Sequence, residues 1–259
     1  MDSTPAFDRL AASYDADFTA SPIARYLRAQ VHARLEQHFC AGDHVLEFGC
    51  GTGEDALYLA QRGVRVTATD ASLAMLEAAK AKIGNQPLVT FAQLDLQNLP
   101  NSSSDKYNGV FSNFGPLNVL HDWRPLAAWL AQQIKPGGIA AFGVMSPFCL
   151  WEMAWHGLHS DLHTATRRLR KKATFQTDKT TIDIYYPTIR RLTRDFAPHF
   201  RRIHVRGLGL FLPPSDVYGV IEKRPRLFYT LMTLEKRFAP LSPLALFADH
   251  YWVEFQRAA

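Results

Sequence analysis

A strand-length apolar run, His44-Val45-Leu46-Glu47-Phe48, ends in Gly49-Cys50-Gly51-Thr52-Gly53. Glycine at every second position there admits few folds. The run reads as a buried strand, the glycines as a sharp turn that lets a ligand approach the backbone, and residues from Glu54 to about 62 as a helix. Unpaired N–H groups at the start of such a helix favour negative groups, so a nucleotide site is the natural expectation. The spacing narrows the nucleotide. The dinucleotide fingerprint G-x-G-x-x-G, begun at Gly49, requires glycine at 54, where Glu54 stands. Glu47, two residues before the first glycine, would repel a pyrophosphate and attract an ammonium or sulfonium group.

Strand and helix patterns alternate on both sides of this turn. Residues 5–19 and 21–39 read as helices; in the second, Ile23, Leu27, Val31 and Leu35 recur every four residues. After the glycine turn come a strand over 64–69 closed by Asp70, a helix marked by Leu73, Met75, Leu76 and Ala79, and a strand over 88–94 closed by Asp95. A fourth strand over 107–113, a helix from Pro125 to Ile134, a turn at Lys135-Pro136-Gly137-Gly138 and a fifth strand, IAAFGVM, follow. This alternation predicts an α/β fold with a doubly wound, mostly parallel sheet. Beyond 146 the pattern loosens into an aromatic helix at 148–159, a strand at 181–186, a helix opening at Tyr186-Pro187, a strand at 202–211, a helix over 222–238 and a last strand at 250–256. The chain of 259 residues thus reads as one domain, with an N-terminal helical lid (1–40), a cofactor-binding core (41–146) and cap additions on the substrate side at 147–180 and 212–248.

Composition is that of a globular protein, and three widely spaced cysteines (Cys40, Cys50, Cys149) form neither a disulfide framework nor a zinc cluster. They suit a reducing, cytoplasmic setting. The opening MDSTPAFDRL lacks the features of a signal peptide, and Pro147 and Glu152 interrupt the most apolar window, so no membrane span is expected. Charge is uneven: residues 1–150 carry net −3 and residues 151–259 net +8, concentrated in 167–206. Such a stretch reads either as a solvated basic face or as a site for an anionic partner. His156, His159 and His163 fall on one helical face, where polar cap histidines are expected rather than metal ligands, and no metal is expected.

Five motifs in order resemble the class I S-adenosylmethionine-dependent methyltransferases. Glu47-Phe48-Gly49-Cys50-Gly51-Thr52-Gly53 is similar to their E/D-x-G-x-G-x-G. Asp70-Ala71-Ser72-Leu73-Ala74-Met75-Leu76 is similar to D-x-S-x-x-M-L, and Asp95 to Pro100 to D-x-x-x-L-P. Tyr107 to Asn113 resembles the fourth strand, with Asn108 in place of the usual Asp, and Ile134 to Gly138 resembles the L-K-P-G-G turn. Phe7-Asp8 through Tyr14-Asp15 resembles the opening of many members acting on small molecules. The resemblance implies a Rossmann-like seven-stranded sheet and binding of S-adenosylmethionine, released as S-adenosylhomocysteine. It implies that Glu47 lies near the methionine amino group, that Gly49, Cys50, Gly51 and Gly53 line the methionyl and ribose portion, and that Asp70 accepts from the ribose hydroxyls, with Ala71 and Met75 beside it. Asp95 would accept from the adenine amino group with Leu96 bordering the ring, Ser112 and Asn113 would lie near the transferred methyl, and Tyr14 would close over the cofactor.

The sulfonium already activates the methyl group, so catalysis can rest on alignment and exclusion of water. A general base serves only acceptors that hold their proton; His121, just after the fourth strand, is the candidate base, and Asn118 the candidate for orienting an acceptor. The acceptor is expected to be a small molecule, flat and lipophilic or anionic. An acyl chain on an acidic carrier protein ranks next and RNA last, since no RNA-binding module is evident. Readings of another class are an NAD(P)-dependent oxidoreductase and a non-catalytic nucleotide-binding protein.

Overall fold

The computed structural model describes residues 20–100, 106–170, 172–176 and 181–258. The expected helix over 5–19, and Tyr14 with it, lies outside the described residues.

Helix α1 (Pro22–Leu35) starts where Ser21 accepts hydrogen bonds from the Ile23 and Ala24 amides and proline fills the first helical position. Its apolar stripe, Ile23, Leu27, Val31 and Leu35, is buried as its four-residue spacing predicts. There follow β1 (His44–Phe48), α2 (Glu54–Ala60), β2 (Arg65–Asp70), α3 (Leu73–Ile83), β3 (Val89–Gln93), β4 (Tyr107–Ser112), α4 (Arg124–Gln133) and β5 (Ile134–Met145). The cap region supplies α5 (Leu150–Leu158), α6 (Leu162–Ala165), β6 (Lys172–Gln176), β7 (Thr181–Tyr185) and α7 (Ile189–Phe196). The chain closes with β8 (Phe200–Leu208), α8 (Tyr218–Glu222), α9 (Pro225–Phe238) and β9 (His250–Arg257).

The main sheet runs β3-β2-β1-β4-β5-β9-β8, with β1 to β5 parallel and β9 antiparallel to both β5 and β8. The doubly wound, mostly parallel seven-stranded sheet is therefore present. Alternate residues of each strand feed two cores: Val45, Phe111, Ala141 and Trp252 pack with α1, α2 and α8, while Leu46, Val110, Phe142 and Phe255 pack with α4 and α7.

Three local expectations change. The Lys135–Gly138 turn is a bulge inside β5: Tyr107 pairs with Ile134 but Gly109 with Ile139, so residues 135–138 fall out of register. The helix expected over 222–238 is two helices, because Pro225 lacks an amide proton and starts α9 afresh. The strand at 181–185 does not join the main sheet; it pairs with β6, a strand hidden in the basic stretch, as a separate antiparallel ribbon.

The basic stretch is not one surface. Arg168 is 4% exposed and binds Glu152 and Asp249, both buried; Arg167 also binds Glu152. These pairs clamp α5 and the segment before β6 onto the start of β9. Arg201 and Arg202 are exposed on β8, an edge strand, where charge discourages pairing with another sheet.

Candidate active site

The parallel strands end on one side of the sheet, where ligands bind in open α/β folds. A cavity of about 250 Å³ lies there, between the loops after β1, β2, β3 and β4. Gly49, Gly51, Asp70, Ala71, Met75, Asp95, Leu96 and Asn113 line it, all singled out by the sequence.

The glycines earn their places geometrically. All three have positive φ, and a Cβ on Gly49 would stand 2.3 Å from the Pro116 ring. Gly53 caps α2 in the left-handed region and packs on Ile83 rather than facing the cavity. The Gly51 amide donates to Asp70 Oδ2 and the Ser72 amide to Oδ1, both at 2.9 Å, so the end of β2 and the glycine loop are locked together through one carboxylate. Asp95 accepts from the Gln97 amide at 2.8 Å and from the Asn98 side chain at 2.6 Å, which fixes the loop carrying Leu96.

Four other expected residues stand behind the lining. Cys50 is buried with its thiol pushed well up by burial; its amide donates to the Thr69 carbonyl and joins β1 to β2. Ser112 is fully buried and donates to the Phe48 carbonyl, so it ties β4 to β1 instead of meeting a ligand. Glu47 is 2% exposed, and its Oε2 has no hydrogen-bond partner among the described residues. Burial, then the neighbouring Asp55 charge, hold its carboxyl well above the usual range against the pull of Arg28. Asn118 is fully buried: its amide nitrogen donates to the Tyr185 and Met145 carbonyls and its oxygen accepts from the Met145 amide. The expectation that it orients an acceptor does not fit, because its polar atoms are spent joining the β6–β7 ribbon to β5. His121 is exposed and lies in a neighbouring cleft of about 690 Å³ with Asp122, Trp129 and Tyr185, a cleft that shares Leu96 and Val119 with the cavity.

Sequence reasoning missed a buried network beneath the glycine loop. Asp55 Oδ1 lies 2.7 Å from both Arg28 Nη1 and His32 Nε2, and Asp55 Oδ2 accepts from Asn113 Nδ2 at 3.0 Å. Burial alone would raise the Asp55 carboxyl; Arg28 and His32 outweigh it and hold the group well below the usual range. The network ties α1 to the cavity wall. The Arg28 guanidinium also sits 5.1 Å over the ring of Phe114, a cavity residue with φ of 55°. Asp55 follows the glycines directly, but its partners are more than twenty residues away and invisible to local pattern.

The donor set fits one kind of nucleotide. Asp70 and Asp95 face the cavity, Glu47 is buried behind it, and among the described residues no lysine or arginine lines it. A pyrophosphate would meet only like charge there, whereas a cationic nucleotide bearing a diol would be matched. The family model described as a methyltransferase domain matches residues 45–138, which hold every one of these groups. Over those residues, about a third of the chain, the sequence matches a methyltransferase domain.

Among curated relatives of this chain, a demethylmenaquinone methyltransferase of Clavibacter sepedonicus is 30% identical over 51% of the chain and 53% of that protein. A malonyl-[acyl-carrier protein] O-methyltransferase of Pseudescherichia vulneris is 30% identical over 66% of the chain and 65% of that protein. The matched stretch thus spans between half and two thirds of these relatives. Among solved structures, the CcbJ methyltransferase of Streptomyces caelestis superposes with a TM-score of 0.64 at 17% identity, covering 100% of both chains. The N-methyltransferase NodS of Bradyrhizobium japonicum WM9 gives 0.61 at 13% identity, covering 100% of this chain and 99% of that one. These likenesses carry the fold.

The remaining titratable clusters form no second centre. His156 approaches Asp161 at 3.6 Å, His159 turns back to the Trp155 carbonyl and His163 meets Arg170. Among the described residues no three His, Cys, Asp or Glu side chains converge for a metal ion, and no helix is long and apolar enough to cross a membrane.

Proposed function

We propose that this chain transfers a methyl group from S-adenosylmethionine to a small-molecule acceptor. The observation that carries the reading is the cavity itself: a glycine loop locked to Asp70, a second carboxylate at Asp95, and the buried, unpartnered Glu47 Oε2 behind them. The cofactor supplies a methyl group on a sulfonium, which leaves as a thioether.

The chain's own residues bind and orient. Asp70, fixed in place by two backbone amides, presents a carboxylate suited to a ribose diol. Asp95 and Leu96 offer an acceptor and an apolar edge to a purine, and Met75 and Leu94 extend that apolar wall. Gly49 and Gly51 let the methionyl portion lie against the main chain. Glu47 would gain from a nearby ammonium, since a cation offsets the burial that raises its carboxyl.

A small acceptor is favoured over a carrier protein or RNA by the fate of the basic stretch. Arg167 and Arg168 are consumed in ion pairs with Glu152 and Asp249, and Arg201 and Arg202 guard a sheet edge. The test is to incubate the chain with methyl-tritiated S-adenosylmethionine and a cell extract split by size. Label is expected in the fraction below about 1 kDa, the usual scale of a molecule held in a pocket. Label confined to protein or RNA would contradict the reading.

A further inference from the structure

The methyltransferase reading leaves the acceptor's proton without a destination. His121, the candidate base by sequence position, is exposed in the neighbouring cleft. A second histidine stands beside two residues of the cavity wall. β9 is antiparallel to β5, so its first residue, His250, pairs with Met145 at the end of β5 where the ligand cavity opens. Directly paired residues point to the same face of a sheet, and Met145 lines the cavity. The His250 ring also meets the ring of Phe114, another cavity residue, edge to face at 6.0 Å.

The histidine is held as a base would be. Its Nδ1 lies 3.0 Å from Asp249 Oδ2, so Nδ1 carries the proton and donates it to the carboxylate. Nε2 is then the lone-pair nitrogen, and it has no hydrogen-bond partner among the described residues. Asp249 is 6% exposed and is itself fixed by the Arg168 guanidinium at 2.7 Å, which Glu152 holds from the other side. A carboxylate that sets the tautomer of an imidazole, leaving the far nitrogen open, is the arrangement of a general base. Trp151 and Phe114 both pack against the same apolar cluster, and two such rings suit a flat acceptor.

We propose, building on the methyltransferase reading, that His250 is the catalytic base, that Asp249 and Arg168 position it, and that the acceptor is a phenol-type hydroxyl. The balance is simple. The hydroxyl proton passes to Nε2, an oxygen lone pair forms the new C–O bond, the S–CH3 bond breaks with its pair kept by sulfur, and the imidazolium returns its proton to solvent. No oxidant or reductant is needed. A carboxylate acceptor, already ionised, would have no use for this dyad.

The test is steady-state methylation of para-substituted phenols by the full chain, from 4-nitrophenol to the less acidic 4-methoxyphenol. His250→Ala, and His250→Asn, which keeps a donor toward Asp249, should lower kcat on 4-methoxyphenol by about 10²–10³-fold, the usual size of a base contribution. The loss on 4-nitrophenol should be under about tenfold, because that acceptor ionises unaided. KM and S-adenosylmethionine affinity should hold within about twofold, the mark of a group acting only on the reacting proton. Added imidazole should restore part of the His250→Ala rate, and His121→Ala should leave the series unchanged. An equal loss on every phenol without imidazole rescue, or a loss that follows His121 instead, would overturn the assignment. Binding of S-adenosylhomocysteine by a wild-type chain that methylates none of the phenols would overturn the acceptor class and leave the methyltransferase reading intact. Failure to bind either sulfur nucleotide would remove that reading itself.

Discussion

The two halves of the chain hold their shape by different means. In the half up to Met145, short loops at the strand ends carry the specification: glycines at positive φ, a carboxylate that grips two amides, a serine that ties neighbouring strands. In the half beyond it, buried ion pairs of the kind that Asp55 makes with Arg28 and His32 in the first half carry it instead. Arg168 joins Glu152 to Asp249 across the cap. Arg34 and His38, from the N-terminal end, converge with the Trp252 indole on Glu254, a residue with no exposure. Local geometry built around a ligand leaves a signature in sequence; long-range charge pairing leaves only a surplus of basic residues whose use is hidden.

That contrast can be broken first in the cap. Arg168→Met removes the cation shared by two buried carboxylates, leaving Glu152 to Arg167 and Asp249 to His250, and should cost about 3–5 kcal/mol in denaturant unfolding. Affinity for S-adenosylmethionine in the remaining folded protein should change little. A neutral result would mean the cap is not clamped as described. Acid should strike the same half. Burial favours the neutral form of Glu254, but its hydrogen bonds to Arg34, His38 and Trp252 hold it down to about 2. The stability it supplies is present above the usual glutamate range and is lost as pH falls toward that value.

In the first half the expected damage falls on binding. Asp70→Ala removes acceptors worth about 1.5–3 kcal/mol per charge-assisted hydrogen bond, so cofactor affinity should fall by at least about a hundred-fold. Unchanged affinity in a folded variant would refute the ribose assignment. A smaller and sharper effect belongs to Glu47. Burial lets its carboxyl keep a proton to higher pH than an ordinary glutamate, and a bound ammonium would favour the loss of that proton. Wild-type affinity should therefore climb as pH rises from the ordinary glutamate range through the raised value. Glu47→Gln should lose that slope and about tenfold in affinity at neutral pH, while gaining stability without ligand because a buried charge is no longer demanded. Parallel pH slopes for both proteins would place the ammonium elsewhere.

Much of this was legible beforehand, for physical reasons. Short apolar or β-branched runs, two of them closed by Asp70 and Asp95, marked the first five strands, and the E-x-G-x-G-x-G spacing marked the loop. Eight of the expected ligand-side residues do line the cavity. Ser112 and Asn118 misled because an alternating pattern does not say whether a polar side chain meets a ligand or a neighbouring strand. β6 was masked by the lysines and arginines around it. His250 carries no motif at all; its place follows from a strand register set more than a hundred residues away.

The most direct test of the central claim is calorimetric titration of the whole chain with S-adenosylmethionine and S-adenosylhomocysteine, with NADH and NADPH as controls. Saturable one-to-one binding of the two sulfur nucleotides alone, abolished in Asp70→Ala, is the predicted result. Binding of NADH in their place, or of none of the four, would contradict the reading of the glycine loop and every assignment built on it.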